Sequence, residues 1–316
     1  MQAIRLATTG QMMPLVGLGL WQMPNNVAKD MVVEAFKSGY RLLDSAGDYG
    51  NEKETGEGIQ SAIDLGIVKR EDIFVTSKLW NTCHARQHVR PAVERTLSDL
   101  GLTYLDLYLI HFPVSLKYVP FEERYPAGWF YDPKQQEIIQ EPVPMRETWQ
   151  AMEELVDAGL VKSIGVSNIP KRLINEILTY ARIRPEVLQI EHHPYLTQED
   201  LVTYAKGENM AITGYSTFGG NSYVELSERA RNSPNLLTND LITELAGKYK
   251  KSAGQILLKW SVQRGIAVVP KTSKGERLKE NINIFDFELS EDDIRRISSL
   301  NRNLRFNEIE NVTVYA

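Results

Sequence analysis

Short apolar runs rich in leucine, isoleucine and valine recur along the chain. Each is followed by a longer segment whose apolar positions fall three and four residues apart. The runs occupy residues 15–18, 41–44, 73–77, 105–111, 163–167, 187–191, 211–215 and 266–270. They are too short for buried helices and read as strands covered on both faces. The segments between them predict helices over 27–38, 52–65, 87–100, 144–158, 171–180, 198–207 and 238–263, the last split near Lys251 and Ser252. Strands and helices in strict alternation predict an α/β fold, a (β/α)8 TIM barrel closed by parallel pairing. A doubly wound sheet is the rival. Gly17-Leu18-Gly19, however, lacks the third glycine and the helix start of a dinucleotide fingerprint.

Two stretches depart from the repeat. Residues 1–13 predict an N-terminal β-hairpin turning near Thr9 and Gly10, a cap for one barrel mouth. Residues 112–143 form a long loop rich in aromatic residues and proline after the fourth strand. Long loops at the C-terminal face of a barrel usually belong to the active site. With no linker and no internal repeat, residues 1–316 predict a single domain.

Composition narrows the partners. The net charge of −5 argues against nucleic acid or an anionic membrane as the main partner. No run approaches the ~18 apolar residues that span a bilayer. Cys83 is the one cysteine, so no intrachain disulfide forms, and a reducing, cytoplasmic location is expected.

The candidate chemistry stands where apolar runs end in polar residues. Asp44 ends the second strand, with Tyr49 five residues on. Lys78 ends the third strand, and His111 ends the fourth. Any one of these is commonly a cap or a surface charge; four at consecutive strand ends, aimed at one mouth, point to a site. A free phenol titrates near ~10, too high for easy proton donation. An ammonium from Lys78, held by Asp44, is expected to lower that value for Tyr49. His111 would orient a carbonyl, completing a site for reducing aldehydes by hydride transfer. Further round the mouth, Ser167, Asn168 and Gln189 offer partners for a carboxamide, and Tyr215 a face for stacking. After the last strand, Lys271, Thr272, Ser273, Lys274 and Arg277 make a basic patch before a helix, suited to a phosphate.

These segments together resemble the aldo-keto reductase superfamily, over nearly the whole chain. The resemblance rests on Gly39-Tyr40-Arg41-Leu42-Leu43-Asp44-Ser45-Ala46 with Tyr49-Gly50-Asn51-Glu52, and on Ser77-Lys78-Leu79-Trp80-Asn81. Leu109-Ile110-His111-Phe112-Pro113 and Pro270-Lys271-Thr272-Ser273 with Arg277-Leu278 complete it. It implies Asp44, Tyr49, Lys78 and His111 as the catalytic four, with Tyr49 as general acid. It implies nicotinamide contacts from Ser167, Asn168, Gln189 and Tyr215, with Ser216, Phe218 and Asn281 also at the coenzyme. Lys271, Thr272, Ser273 and Arg277 would hold a 2′-phosphate, which favours NADPH.

Within the superfamily the chain is most similar to xylose reductases, through residues 118–126 and 304–307, and next to aldose and aldose 6-phosphate reductases. That likeness implies a substrate wall of Trp21, Phe112, Trp129 and Asn307, with Asn307 bonding a sugar hydroxyl. Thr272-Ser273 departs from the Ser-Asn usual in xylose reductases, and Glu225 matches a carboxylate that accepts ribose hydroxyls. NADH therefore enters as a second coenzyme. Gly47 replaces an acid, with no assigned consequence. A sugar phosphate would need a further cation, for which Lys117, Arg124 and Arg305 are candidates, and a general aldehyde scavenger also fits. A metal site from Asp44, His111, His192 and His193 would leave Tyr49 and Lys78 unused, so no metal is expected. A coenzyme-binding accessory protein is the non-enzymatic alternative. The resemblance leaves a monomer or a homodimer.

Overall fold

The computed structural model describes residues 2–308 and Val314. A hairpin of β1 (Ala3–Arg5) and β2 (Met12–Pro14) comes first, paired antiparallel. Eight parallel strands follow: β3 (Leu18–Gly19), β4 (Leu42–Asp44), β5 (Phe74–Leu79), β6 (Leu105–Ile110), β7 (Val161–Ser167), β8 (Val187–Glu191), β9 (Ala211–Tyr215) and β10 (Ala267–Val268). Each pairs with its neighbour in chain order. The outer two meet through a bridge between Val16 and Val268, with Gly17 N–H donating to Val268 O at 2.8 Å and Val268 N–H to Leu15 O at 2.8 Å. The sheet thus closes on itself, and no open edge is left along that seam.

Every residue of β5 and β6 is buried, the apolar ones in the core together with the polar Thr76, Ser77, Lys78 and Asp106. Regular pairing in the first and last barrel strands is shorter than the sequence suggests. Both run as extended chain whose hydrogen bonds continue past the formal strand, for example from Gly19 N–H to Pro270 O.

The helices are α1 (Asn25–Lys37), α2 (Glu52–Asp64), α3 (Arg86–Leu100), α4 (Met145–Asp157), α5 (Lys171–Tyr180), α6 (Glu199–Gly207), α7 (Glu228–Arg231), α8 (Asp240–Tyr249), α9 (Ala253–Gln263), α10 (Gly275–Ile282) and α11 (Glu291–Ser298). The expected split falls at Lys250, whose φ of 54° ends α8, and at Ser252, which opens α9 with a reciprocal capping box to Gln255. Among the described residues no helix is long and apolar enough to cross a membrane.

The hairpin caps the N-terminal mouth, as expected. Its turn is held by Glu186, just before β8, which accepts from the Thr8 and Thr9 amides at 2.6 and 2.8 Å and from the Thr9 hydroxyl at 2.9 Å. The opposite mouth is left for the long loops.

Candidate active site

At the carboxyl end of β4 the chain turns through a 3-10 segment, Gly47–Tyr49, and Gly50 at φ 68° sends it into α2. Asn51 is fully buried and donates to the carbonyls of Leu20 and Met23 at 2.9 and 3.0 Å, tying this turn to the loop after β3. Tyr49 is thereby aimed back over the barrel. Lys78, 1% exposed on β5, reaches three oxygens with its ammonium: Asp44 Oδ2 at 2.9 Å, Ser45 O at 2.7 Å and Tyr49 OH at 3.0 Å. Asp44 Oδ1 in turn accepts from Gln189 Nε2 at 2.7 Å. The His111 ring lies edge-on to Tyr49, with centroids 5.8 Å apart.

Burial sets the protonation of this group. It pushes the Tyr49 phenol well above its ordinary value, and the negative charges of Asp44, Asp48 and Glu52 push the same way. The expected lowering by Lys78 is therefore not what the resting site gives; the loss of water outweighs one ammonium. Burial lowers Lys78, while Asp44 holds it up. Burial, then the charge of Lys78, keeps the His111 imidazole well below its usual value and so neutral at physiological pH.

Tyr49 and His111 open into a broad cleft continuous with solvent. Asp44, Ser167, Asn168, Gln189, Tyr215, Ser216, Phe218 and Lys271 line it, as do Trp21, Phe112, Trp129 and Asn307. Lys78 stays behind the wall, below Tyr49. Thr272, Ser273, Arg277, Asn281 and Glu225 lie outside the lining. Thr272 and Ser273 lie in the loop after β10, Arg277 in the first turn of α10 and Asn281 in its last turn. The buried Thr272 hydroxyl accepts from Lys274 N–H at 3.1 Å, while Ser273 and Arg277 are exposed. Glu225 is exposed beyond the 3-10 turn Gly219–Tyr223.

The amides expected at a carboxamide are partly committed. Gln189 spends its donor on Asp44. Asn168, in the left-handed region at φ 57°, donates to His111 O at 3.0 Å and Ser167 Oγ at 3.1 Å and accepts from Tyr215 OH.

His192 and His193 are turned to other tasks. His192 stacks on Trp260 at 4.7 Å, and His193 Nε2 sits 2.8 Å from Glu191 Oε1. Among the described residues no three histidines, cysteines or acids gather as metal ligands.

The model of the aldo/keto reductase family matches residues 14–302. The chain belongs to the aldo/keto reductase family. Among aldo/keto reductases it is 52% identical to an NAD(P)H-dependent D-xylose reductase of Kluyveromyces lactis, across 95% of this chain and 92% of that one. It is 50% identical to an NADPH-dependent aldose reductase of Saccharomyces cerevisiae, across 98% and 96%. The solved aldose reductase from Schistosoma japonicum superposes with a TM-score of 0.87 at 40% identity, covering 96% of this chain and 94% of that one.

Several lining residues of this aldo/keto reductase escape sequence reasoning, among them Trp80, Tyr223 and Asp48. Trp80 donates through Nε1 to Gly128 O at 3.0 Å and stands edge-on to both His111 and Trp129. Tyr223 packs on Trp21 at 5.0 Å. Asp48 is half-buried with Oδ1 enclosed and unpartnered, and burial lifts its carboxyl to about 7 against the pull of a Gly128 backbone hydrogen bond. A polar residue directly before the tyrosine was the available signal.

Proposed function

We propose that this chain reduces open-chain aldoses to their alcohols with a nicotinamide coenzyme, Tyr49 giving the proton. The observation that carries the reading is the Lys78 ammonium bonded at once to Asp44 and Tyr49, beneath a cleft walled by His111, three tryptophans and Asn307.

The cleft fits a nicotinamide. Tyr215 offers a ring face, the Ser167 hydroxyl and the Gln189 side-chain oxygen remain for polar contacts, and Lys271 stands at the rim below the patch of Thr272, Ser273 and Arg277. When bound, the coenzyme supplies a hydride to the carbonyl carbon. Tyr49, kept protonated by its burial, supplies the proton to the carbonyl oxygen. The phenolate left behind meets the Lys78 ammonium, whose charge Asp44 sustains and whose carboxylate Gln189 holds in place. A neutral His111 can bond the carbonyl oxygen without competing as an acid. The patch on α10 favours NADPH, with NADH as a second coenzyme. The Kluyveromyces relative is named NAD(P)H-dependent and the yeast one NADPH-dependent.

A neutral sugar suits this wall better than a sugar phosphate. Asp48 offers a partner to a hydroxyl and brings no cation to a phosphate. Arg124 is committed to the carbonyls of Phe130 and Tyr131, Lys117 lies over the Tyr131 ring, and Arg305 donates to Gln198. None of the three lines the cleft. A cytoplasmic location rests on the lone Cys83, which is buried.

Absorbance at 340 nm with NADPH and NADH, against xylose, glucose 6-phosphate and glyceraldehyde, tests the reading. Xylose should lead in kcat/KM. A preference for the phosphate would overturn the substrate class, and coenzyme binding without turnover would favour the accessory-protein alternative.

A further inference from the structure

Glu191 ends β8, is fully buried and does not line the cleft, yet it holds a segment that does. Its Oε1 accepts from Phe306 N–H at 2.8 Å and its Oε2 from Asn307 N–H at 2.9 Å, while His193 Nε2 lies 2.8 Å from Oε1. Residues 301–308 form no helix or strand, so their path depends on such anchors. Beyond Asn307 the contacts continue. Its Nδ2 donates to Tyr215 OH at 2.8 Å, Tyr215 OH donates to Asn168 Oδ1, and Asn168 Nδ2 donates to His111 O at 3.0 Å. Phe306, pinned by the same carboxylate, stacks with Tyr223.

We propose that Glu191 is the positioning residue for substrate hydroxyl recognition: its carboxylate fixes the backbone of Phe306 and Asn307 so that the Asn307 amide stands at the cleft wall. The proposal rests on the reading of Asn307 as a sugar contact. An acid is required by the donor count. Two successive N–H groups point at one buried side chain, and a carboxylate accepts with both oxygens whereas an amide accepts with one. Glutamine would set an NH2 against one backbone N–H, release that anchor and leave the volume unchanged. Burying the charge is tolerable only because these partners replace its water.

The test uses the full chain with NADPH and two aldehydes, xylose and butanal, which has no hydroxyls. Glu191→Gln should raise KM for xylose roughly tenfold, the scale of one lost charge-assisted hydrogen bond, with kcat less affected and butanal changed by about twofold at most. Added to Asn307→Ala, it should cost little more. Equal losses on both aldehydes, or full additivity with Asn307→Ala, would overturn the proposal. If Asn307→Ala discriminates between the aldehydes and Glu191→Gln does not, the proposal falls alone. If Asn307→Ala does not discriminate either, the sugar-contact reading falls with it. Should Glu191→Gln fail to fold, amide exchange in the unaltered protein decides: Phe306 and Asn307 must be protected, and exchange at the rate of a free peptide overturns the clamp.

Discussion

At Tyr49 burial and the surrounding carboxylates act together and outweigh one neighbouring ammonium. A lysine beside a phenol suggests a lowered pKa, but burial raises it, so in the proposed reaction Tyr49 keeps its proton until transfer and Lys78 then faces the phenolate. Tyr49→Phe should keep coenzyme affinity and lose about 10²–10⁴ in kcat; single-turnover rates near the original would remove its role as acid. Asp48 makes a second test. Its folded value of about 7 lies above the ordinary 3.8, so the folded state binds this proton more tightly than the unfolded one. The stability it contributes is present in acid and lost as pH rises between those values. Glu52, also raised to about 7, acts in the same direction. Melting at a series of pH values should therefore show a shallower decline toward neutrality for Asp48→Asn; identical slopes would contradict the assignment. Asp44, Tyr49, Lys78 and His111 were legible because each ends or follows an apolar run. Asp48 was not, since an acid beside a tyrosine in a polar turn looks solvated. Its backbone partner is Gly128, far along the chain in the long loop.

Among the elements, the period of apolar positions found eight of the helices, α1 to α6 with α8 and α9, and all eight barrel strands. It erred at ends where backbone pairing continues without regular geometry, as around β3 and β10. α7 has four residues and no room for a period. α11 went unassigned because it lies beyond the eightfold alternation, although Ser290 caps it and three acids fill its first turn. Contacts between elements are less visible still. Gly56 on α2 sits so close to α3 that a Cβ there would lie 2.5 Å from the Leu100 carbonyl. Alanine gains about 1 kcal/mol in helix propensity, but forcing the two helices apart costs about 1–3 kcal/mol. Gly56→Ala should thus be neutral to destabilising in urea unfolding. A clear gain in stability would mean that the pair can shift freely. The loop over residues 112–143 was placed correctly at the mouth, but its bridges, Leu116 to Gln140 and Asp132 to Glu137, leave no periodic trace.

Across the whole molecule the two barrel mouths do different work. One carries the proposed chemistry and the other a plug. The hairpin was readable as a cap, whereas Glu186, which receives it, stands far away in sequence and announces nothing. Glu186→Gln removes acceptor capacity from a network that includes the Thr8 and Thr9 amides and the Ser163 hydroxyl. It should cost about 1–3 kcal/mol of unfolding free energy and leave kcat/KM at 25 °C unchanged; a parallel loss of activity would show that the mouths are coupled. The seam opposite β4, where Gly17 and Leu15 meet Val268, joins segments from nearly opposite ends of the barrel-forming chain. During synthesis the outer edge of β3 has no partner until β10 emerges, and the closing step comes at the entropic cost of the longest loop in the protein. A nascent chain therefore carries an exposed strand edge for most of its production, and association of unfinished chains at that edge competes with the last closure.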